Sequence, residues 1–168
     1  GHEHAPSGAR HRALSVLSSQ GTVAGELKVR EVAHCYVVVA GRVLLLERAA
    51  GLRGAGFWAP PGGHLETGES PLEAVCRECA EELGLALPQE RLVLLRRAPF
   101  RERRGAGVNW LFSLTVATPP PFFPAADAAH MAAFFPLRLW PRPLLPWTQD
   151  DLLALSAAGP PGADGLLQ

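Results

Sequence analysis

Gly62-Gly63-His64-Leu65-Glu66-Thr67-Gly68-Glu69-Ser70-Pro71-Leu72-Glu73-Ala74-Val75-Cys76-Arg77-Glu78-Cys79-Ala80-Glu81-Glu82-Leu83-Gly84-Leu85 decides the reading of this chain. Six of its sixteen acidic residues fall between positions 66 and 82. A glycine loop leads into a stretch of helical period, and that stretch ends at a glycine. Ser70 is placed to cap the helix, Pro71 suits the first helical position, and Glu73 stands three residues on to complete a capping box. Gly84 supplies a left-handed stop. The spacing predicts a helix over 71–83. Leu72, Val75, Cys76, Cys79 and Leu83 make its apolar stripe. Glu78, Glu81 and Glu82, at i, i+3 and i+4, converge on another face, with Arg77 beside them. Three like charges so placed repel, and a divalent cation would remove the repulsion. Hard cations take oxygen ligands, and Mg²⁺ keeps waters and substrate phosphates in its shell.

This segment resembles the signature of the Nudix hydrolases: Gly, five residues, Glu, seven residues, then Arg-Glu-hydrophobic-x-Glu-Glu-x-Gly-hydrophobic. Here the pattern is Gly63, Glu69 and Arg77-Glu78-Cys79-Ala80-Glu81-Glu82-Leu83-Gly84-Leu85. Seven fixed identities, each at roughly one in fifteen by average usage, coincide by chance about once in 10⁸ windows. Cys79 fills a hydrophobic slot as a small apolar residue. Trp58-Ala59-Pro60-Pro61-Gly62 resembles the family's approach to this motif.

The resemblance implies an α/β fold, the Nudix-type α/β/α sandwich, with a mixed and mainly antiparallel-paired sheet between helices. It implies hydrolysis of a pyrophosphate bond in a nucleoside diphosphate linked to another moiety, with Mg²⁺ or Mn²⁺. Glu78, Glu81, Glu82 and the backbone carbonyl of Gly62 are the implied metal ligands. Either Glu81 or Glu82 is a candidate to orient or deprotonate the attacking water. Glu69 and Arg77 read as a pair that shapes the loop against the helix. Outside the motif, Asp127 and Glu102 are the candidate bases. Arg48, Arg53, Gly63 and Asn109 are candidate substrate contacts.

The rest of the chain is organised around that motif. One domain is expected over 21–158, with a flexible arm at 1–20, which reads as a tag remnant or truncated start, and a Gly/Pro-rich tail at 159–168. A short strand is expected at 22–30 and a hairpin of buried strands at 32–40 and 43–47, turning at Gly41-Arg42. His34 lies in that apolar run, where a hydrogen-bonded structural histidine is expected. Strands are expected at 91–98 and 108–118 around a polar turn at 101–107, and at 132–137. A final helix at 148–157 would take Thr148 as its cap.

Composition narrows the partners. Sixteen basic and sixteen acidic residues balance, and fifteen of the basic ones are arginine. A neutral chain does not recommend a nucleic-acid duplex, and no apolar run is long enough for a membrane span. A small nucleotide is the expected partner, with a homodimer left open. Three cysteines without an even framework suggest the cytoplasm. Cys76-x-x-Cys79 lies on the apolar stripe, where core packing is expected over ligation. Substrate class stays open between a (deoxy)nucleoside triphosphate and ADP-ribose or a nucleotide sugar. A non-catalytic nucleotide-binding regulator and an RNA-end decapping enzyme are the other readings.

Overall fold

A computed structural model describes residues 29–158. The arm at 1–20, most of the strand expected at 22–30 and the tail at 159–168 lie outside the described residues. Seven strands and two helices follow in order: β1 Arg30–Val39, β2 Arg42–Arg48, β3 Trp58–Ala59, β4 Gly62–His64, α1 Pro71–Leu83, β5 Val93–Glu102, β6 Gly105–Thr115, β7 Ala129–Pro136 and α2 Pro146–Ala158.

The sheet is mixed. β1 runs parallel to β6 along its length, while every other pairing between the named strands is antiparallel. On its other side β1 pairs β2 only at Val38 and Val39, and pairs β4 at Val32, Ala33 and His34. β2 in turn pairs β7 on one side and β3, at Leu46 and Glu47, on the other. β1 and β2 therefore diverge like a fork, and the segment 58–64 fills the gap. It pairs with β2 through Trp58–Ala59 and with β1 through Gly62–His64. This crossing carries the glycine loop to the start of α1.

Alternation along the strands divides the core in two. Ala33, Cys35, Val37, Leu44, Leu46, Phe112 and Leu114 pack with Val75, Cys79 and Leu83 of α1. Tyr36, Val43, Leu45 and Leu111 point the other way and pack with Leu152 of α2. The architecture is the α/β/α sandwich. Cys79 is fully buried and Cys76 partly so, against the α1-side core.

Several boundaries moved for local reasons. The first hairpin turns at Ala40-Gly41, both at positive φ (47° and 75°), instead of Gly41-Arg42. The second turns at Arg103-Arg104, so its strands run longer than the charged sequence suggested. Residues 89–91 form a 3₁₀ turn, which delays β5 to Val93. α2 opens with Pro146 in its first turn, where proline's fixed φ suits it. Thr148 is thus a fully buried residue inside the helix and not its cap.

Candidate active site

The motif builds one corner of the molecule. Ser70 Oγ accepts from the Glu73 amide at 3.1 Å, fixing where α1 begins. Gly84, at φ 63°, donates to Ala80 O, and Leu85 donates to Cys79 O, closing the helix. The last carbonyls are met from outside: Phe123 N donates to Leu83 O and Ala125 N to Glu82 O, both at 2.8 Å. The loop before β7 is thereby seated on the end of the helix.

Two glycines bring the loop against the helix and the sheet. Gly62 has φ 153°, and a Cβ there would stand 2.1 Å from the Ala33 carbonyl oxygen. Only glycine lets this backbone lie against β1. A Cβ on Gly63 would stand 2.5 Å from the Glu78 carboxyl carbon. The Glu78 carboxylate therefore rests against bare backbone.

Arg77 organises the acids. Its Nε and Nη2 grip Glu69 Oε1 and Oε2 at 2.7 and 2.9 Å, a bidentate fork. Nη2 also donates to the His64 carbonyl at 2.9 Å. Nη1 reaches Glu78 Oε1 at 3.0 Å and Glu81 Oε2 at 3.2 Å. Glu69 also accepts from the Glu66 amide at 2.9 Å. Hydrogen bonds from Arg77, with that amide bond, hold the Glu69 carboxyl down at about 2.

Glu82 is set apart from this network. It accepts from the Gly62 amide at 3.2 Å. Desolvation pushes its carboxyl up to about 8, outweighing that bond, and the Glu78 charge adds to the rise while Arg48 opposes it. A half-buried carboxylate held by a backbone amide, with no ion pair among the described residues, is the group most in need of an added cation. The donor set of Glu78, Glu81, Glu82 and a backbone carbonyl consists of oxygens only, which fits Mg²⁺ or Mn²⁺ in kind. As they stand, Glu78 and Glu81 lean on Arg77. Among the described residues no three His, Cys, Asp or Glu side chains meet closely enough to ligate one ion. Glu81, 59% exposed at its side chain, has room to swing away from the guanidinium.

The motif thus gathers Gly62, Gly63, Glu69, Arg77, Glu78, Glu81 and Glu82. The remaining candidates lie elsewhere. Arg48, at the end of β2, is close enough to influence both Glu82 and His34, and its Nε donates to the Arg53 carbonyl at 2.6 Å. Arg53 turns away to pair with Glu102, which also binds Arg30 at 2.6 Å. Asn109 is buried, with Oδ1 2.9 Å from His34 Nδ1, and the His34 ring stands 4.8 Å from the Trp147 ring, tilted by 51°. Asp127 is exposed in the loop before β7.

Two charged groupings had no signal in the sequence. One is the Arg30–Glu102–Arg53 cluster. The other is Asp151, buried on α2, which accepts from Tyr36 OH and from Arg96 Nε, each at 2.6 Å. Their members lie far apart in sequence, so neither spacing nor period marks them.

Comparison with known proteins agrees with this geometry. The NUDIX domain family model matches residues 28–155. A MutT NUDIX hydrolase from Burkholderia pseudomallei, known from its crystal structure, is 30% identical with a TM-score of 0.67. That match covers 75% of this chain and 97% of the other. An ADP-ribose pyrophosphatase from Methanocaldococcus jannaschii is 38% identical over 87 residues, covering 52% of this chain and 50% of the relative. A CTP pyrophosphohydrolase from Escherichia coli is 39% identical over 59 residues, covering 35% of this chain and 44% of the relative. The chain thus spans half the length of the first of these curated relatives and less of the second. With the signature intact and three-quarters of the chain matched by the domain model and its fold, the protein belongs to the Nudix hydrolase family.

Proposed function

We propose that this chain hydrolyses a pyrophosphate bond in a nucleoside diphosphate linked to another moiety, using Mg²⁺ or Mn²⁺. The observation that carries this reading is the corner at Gly62–Leu85, where the carboxylates of Glu69, Glu78 and Glu81 lie within 3.2 Å of the Arg77 guanidinium, that of Glu66 stands 3.8 Å from it, and Glu82 accepts from the Gly62 amide. Glu78, Glu81, Glu82 and the Gly62 carbonyl would hold the cation. When bound, it would neutralise phosphate oxygens and acidify a water. The protein's own share is positioning and electrostatics. The Arg77–Glu69 fork fixes the loop against α1, and bare backbone at Gly63 leaves Glu78 room to turn. Glu81 and Glu82 are the two candidates to take the proton of the attacking water.

A (deoxy)nucleoside triphosphate is the substrate class we favour, and the CTP pyrophosphohydrolase likeness supports it. ADP-ribose is the second reading, supported by the longer match to an ADP-ribose pyrophosphatase. Either is a small anion, in keeping with a chain of zero net charge. The free thiols of Cys35, Cys76 and Cys79 suit the reducing cytoplasm. Among the described residues no helix is long and apolar enough to cross a membrane.

The test is phosphate or nucleotide release from nucleoside triphosphates, ADP-ribose, dinucleoside polyphosphates and capped RNA with Mg²⁺ or Mn²⁺, beside Glu82→Gln. Metal-dependent turnover that falls by about 10²–10⁴-fold in the variant is the expected outcome. Nucleotide binding without turnover of any compound would replace the enzyme reading with that of a regulator.

A further inference from the structure

Between β2 and β3 the chain makes a loop whose base is tied by Arg48. Its amide donates to Phe57 O and its carbonyl accepts from Gly56 N, both at 2.9 Å. At the far side of that loop Arg53 reaches Glu102, the last residue of β5. At this end of the sheet the segment 58–64 that fills the fork, then β1 and β6, lie between β2 and β5, so the loop and the Arg53 side chain reach across them. Arg30 of β1 meets the same carboxylate at 2.6 Å and also lies 5.9 Å over the Phe100 ring. Glu102 therefore sits between two guanidiniums, one from the sheet and one from the loop.

The bridge continues towards the active corner. The Arg53 carbonyl accepts from Arg48 Nε, and the charge of Arg48 is felt by Glu82. Gly54, next to Arg53, is packed tightly as well: a Cβ there would stand 3.2 Å from Leu145 and 3.5 Å from Arg48 Nε. Holding Arg53 in place holds its carbonyl in place, and with it the Arg48 guanidinium.

We propose that Glu102 is a positioning residue. Its pairing with Arg53 latches the 49–56 loop across the sheet and so aims Arg48 at the site, rather than supplying a catalytic base. This rests on the hydrolase reading only for its kinetic consequence. The latch is built to open. Arg53 is 61% exposed and Glu102 33% exposed at their side chains, and ion pairs so wet are weak and salt-sensitive. Desolvation works against the charge on Glu102, yet hydrogen bonds from Arg30 and Arg53 hold its carboxyl below the ordinary range. It thus stays ionised as a partner.

The experiment compares wild type, Glu102→Gln, Arg53→Ala and the double variant by two readouts. The first is amide exchange over residues 49–57 of the protein alone. Each single variant should speed exchange there by about threefold, and the double variant should be no faster than either single. The second readout is kinetics on whichever substrate the panel identifies. KM should rise by about threefold with kcat unchanged, and Arg53→Lys should recover part of the loss. Unchanged exchange in Glu102→Gln overturns the latch. Faster exchange with KM unchanged overturns the positioning role, and a collapse of kcat in Glu102→Gln would make it a catalytic residue instead. If the wild type turns over nothing, the hydrolase reading fails while the exchange result still decides the latch.

Discussion

On one side of the sheet, Arg77 holds Glu69, Glu78 and Glu81 together, all drawn from a stretch of thirteen positions between 69 and 81. On the other, Asp151 is 5% exposed and is held by Tyr36 and Arg96, which come from two different strands. Both are carboxylates gathered by cations and hydrogen bonds, yet they serve different ends. The α1 corner accumulates more negative charge than its one arginine can balance. That excess costs stability and creates a demand for a cation. The α2 side balances its charge locally and uses it to fix a helix onto the sheet. Changes at the first should cost activity more than stability, and changes at the second the reverse.

The largest expected effect tests the second half of that contrast. Asp151→Ala would strand the Tyr36 hydroxyl and remove the partner of Arg96. Burial first of all, with the Asp151 charge adding to it, already pushes the Tyr36 phenol well above its usual value, so no phenolate can compensate. Unfolding free energy should fall by about 3 kcal/mol, at the low end for a buried pair because Arg96 is 43% exposed. Urea denaturation measures it. The contrast fails if stability holds while kcat falls.

His34 offers a pH test of the same face. Desolvation lowers it to about 4, with the Asn109 hydrogen bond opposing. The unfolded state takes up a proton near pH 6.5 and the folded state near 4. Stability is therefore full above 6.5 and is lost as pH falls to about 4, by about 3 kcal/mol. Glu82, raised to about 8, acts in the opposite sense between about 8 and 4.5, since there the folded state binds the extra proton. The readout is thus the difference between wild type and His34→Gln, and a difference that is flat from pH 7 to 4 would contradict a buried neutral imidazole.

Gly63→Ala turns to the first half. The added methyl meets the Glu78 carboxyl at 2.5 Å and must displace it. Misplacing a reacting group by about 1 Å costs on the order of 100-fold. kcat/KM should fall by that factor. Urea stability should stay within about 1 kcal/mol, because the obstacle is a side chain that can rotate. If instead the variant unfolds and the activity per folded molecule is kept, the corner is structural first.

The two regions also differ in how far they could be read from sequence. α1, its cap, its apolar stripe and its acidic face were legible because every partner lies within a few turns of the same helix, where period and spacing carry the information. The sandwich was implied by the family likeness, and the apolar, β-branched runs at 32–40 and 43–47 marked its first hairpin. The fork between β1 and β2 was not legible, since it depends on where pairing partners change along a strand. Nor was Glu102's attachment to Arg53, across 49 residues, or the pairing of Asn109 with His34 across 75. Neither type of contact leaves a local pattern. Thr148 shows the opposite failure. A good capping residue stood at a plausible helix start, but Pro146 began the helix sooner and the threonine was carried into the core.

Ser70 gives the smallest effect and the sharpest local control. Its hydroxyl accepts the Glu73 amide, and replacing such a cap by alanine costs about 1 kcal/mol. Ser70→Ala should lower stability by that amount, and Ser70→Asp should recover it, because a carboxylate can accept the same bond and favours the positive end of the helix. Activity separates two accounts of the corner. If α1 is positioned chiefly by its cap, kcat/KM will fall along with stability and return with Ser70→Asp. If the Arg77–Glu69 fork and the packing of Val75, Cys79 and Leu83 already hold the helix in register, stability alone will move. The second outcome is expected. The fork ties α1 to the loop through two hydrogen bonds at 2.7 and 2.9 Å, and those three side chains are fully buried against the sheet. A freed amide at position 73 is exposed enough to find water, so the helix loses a little free energy and keeps its place.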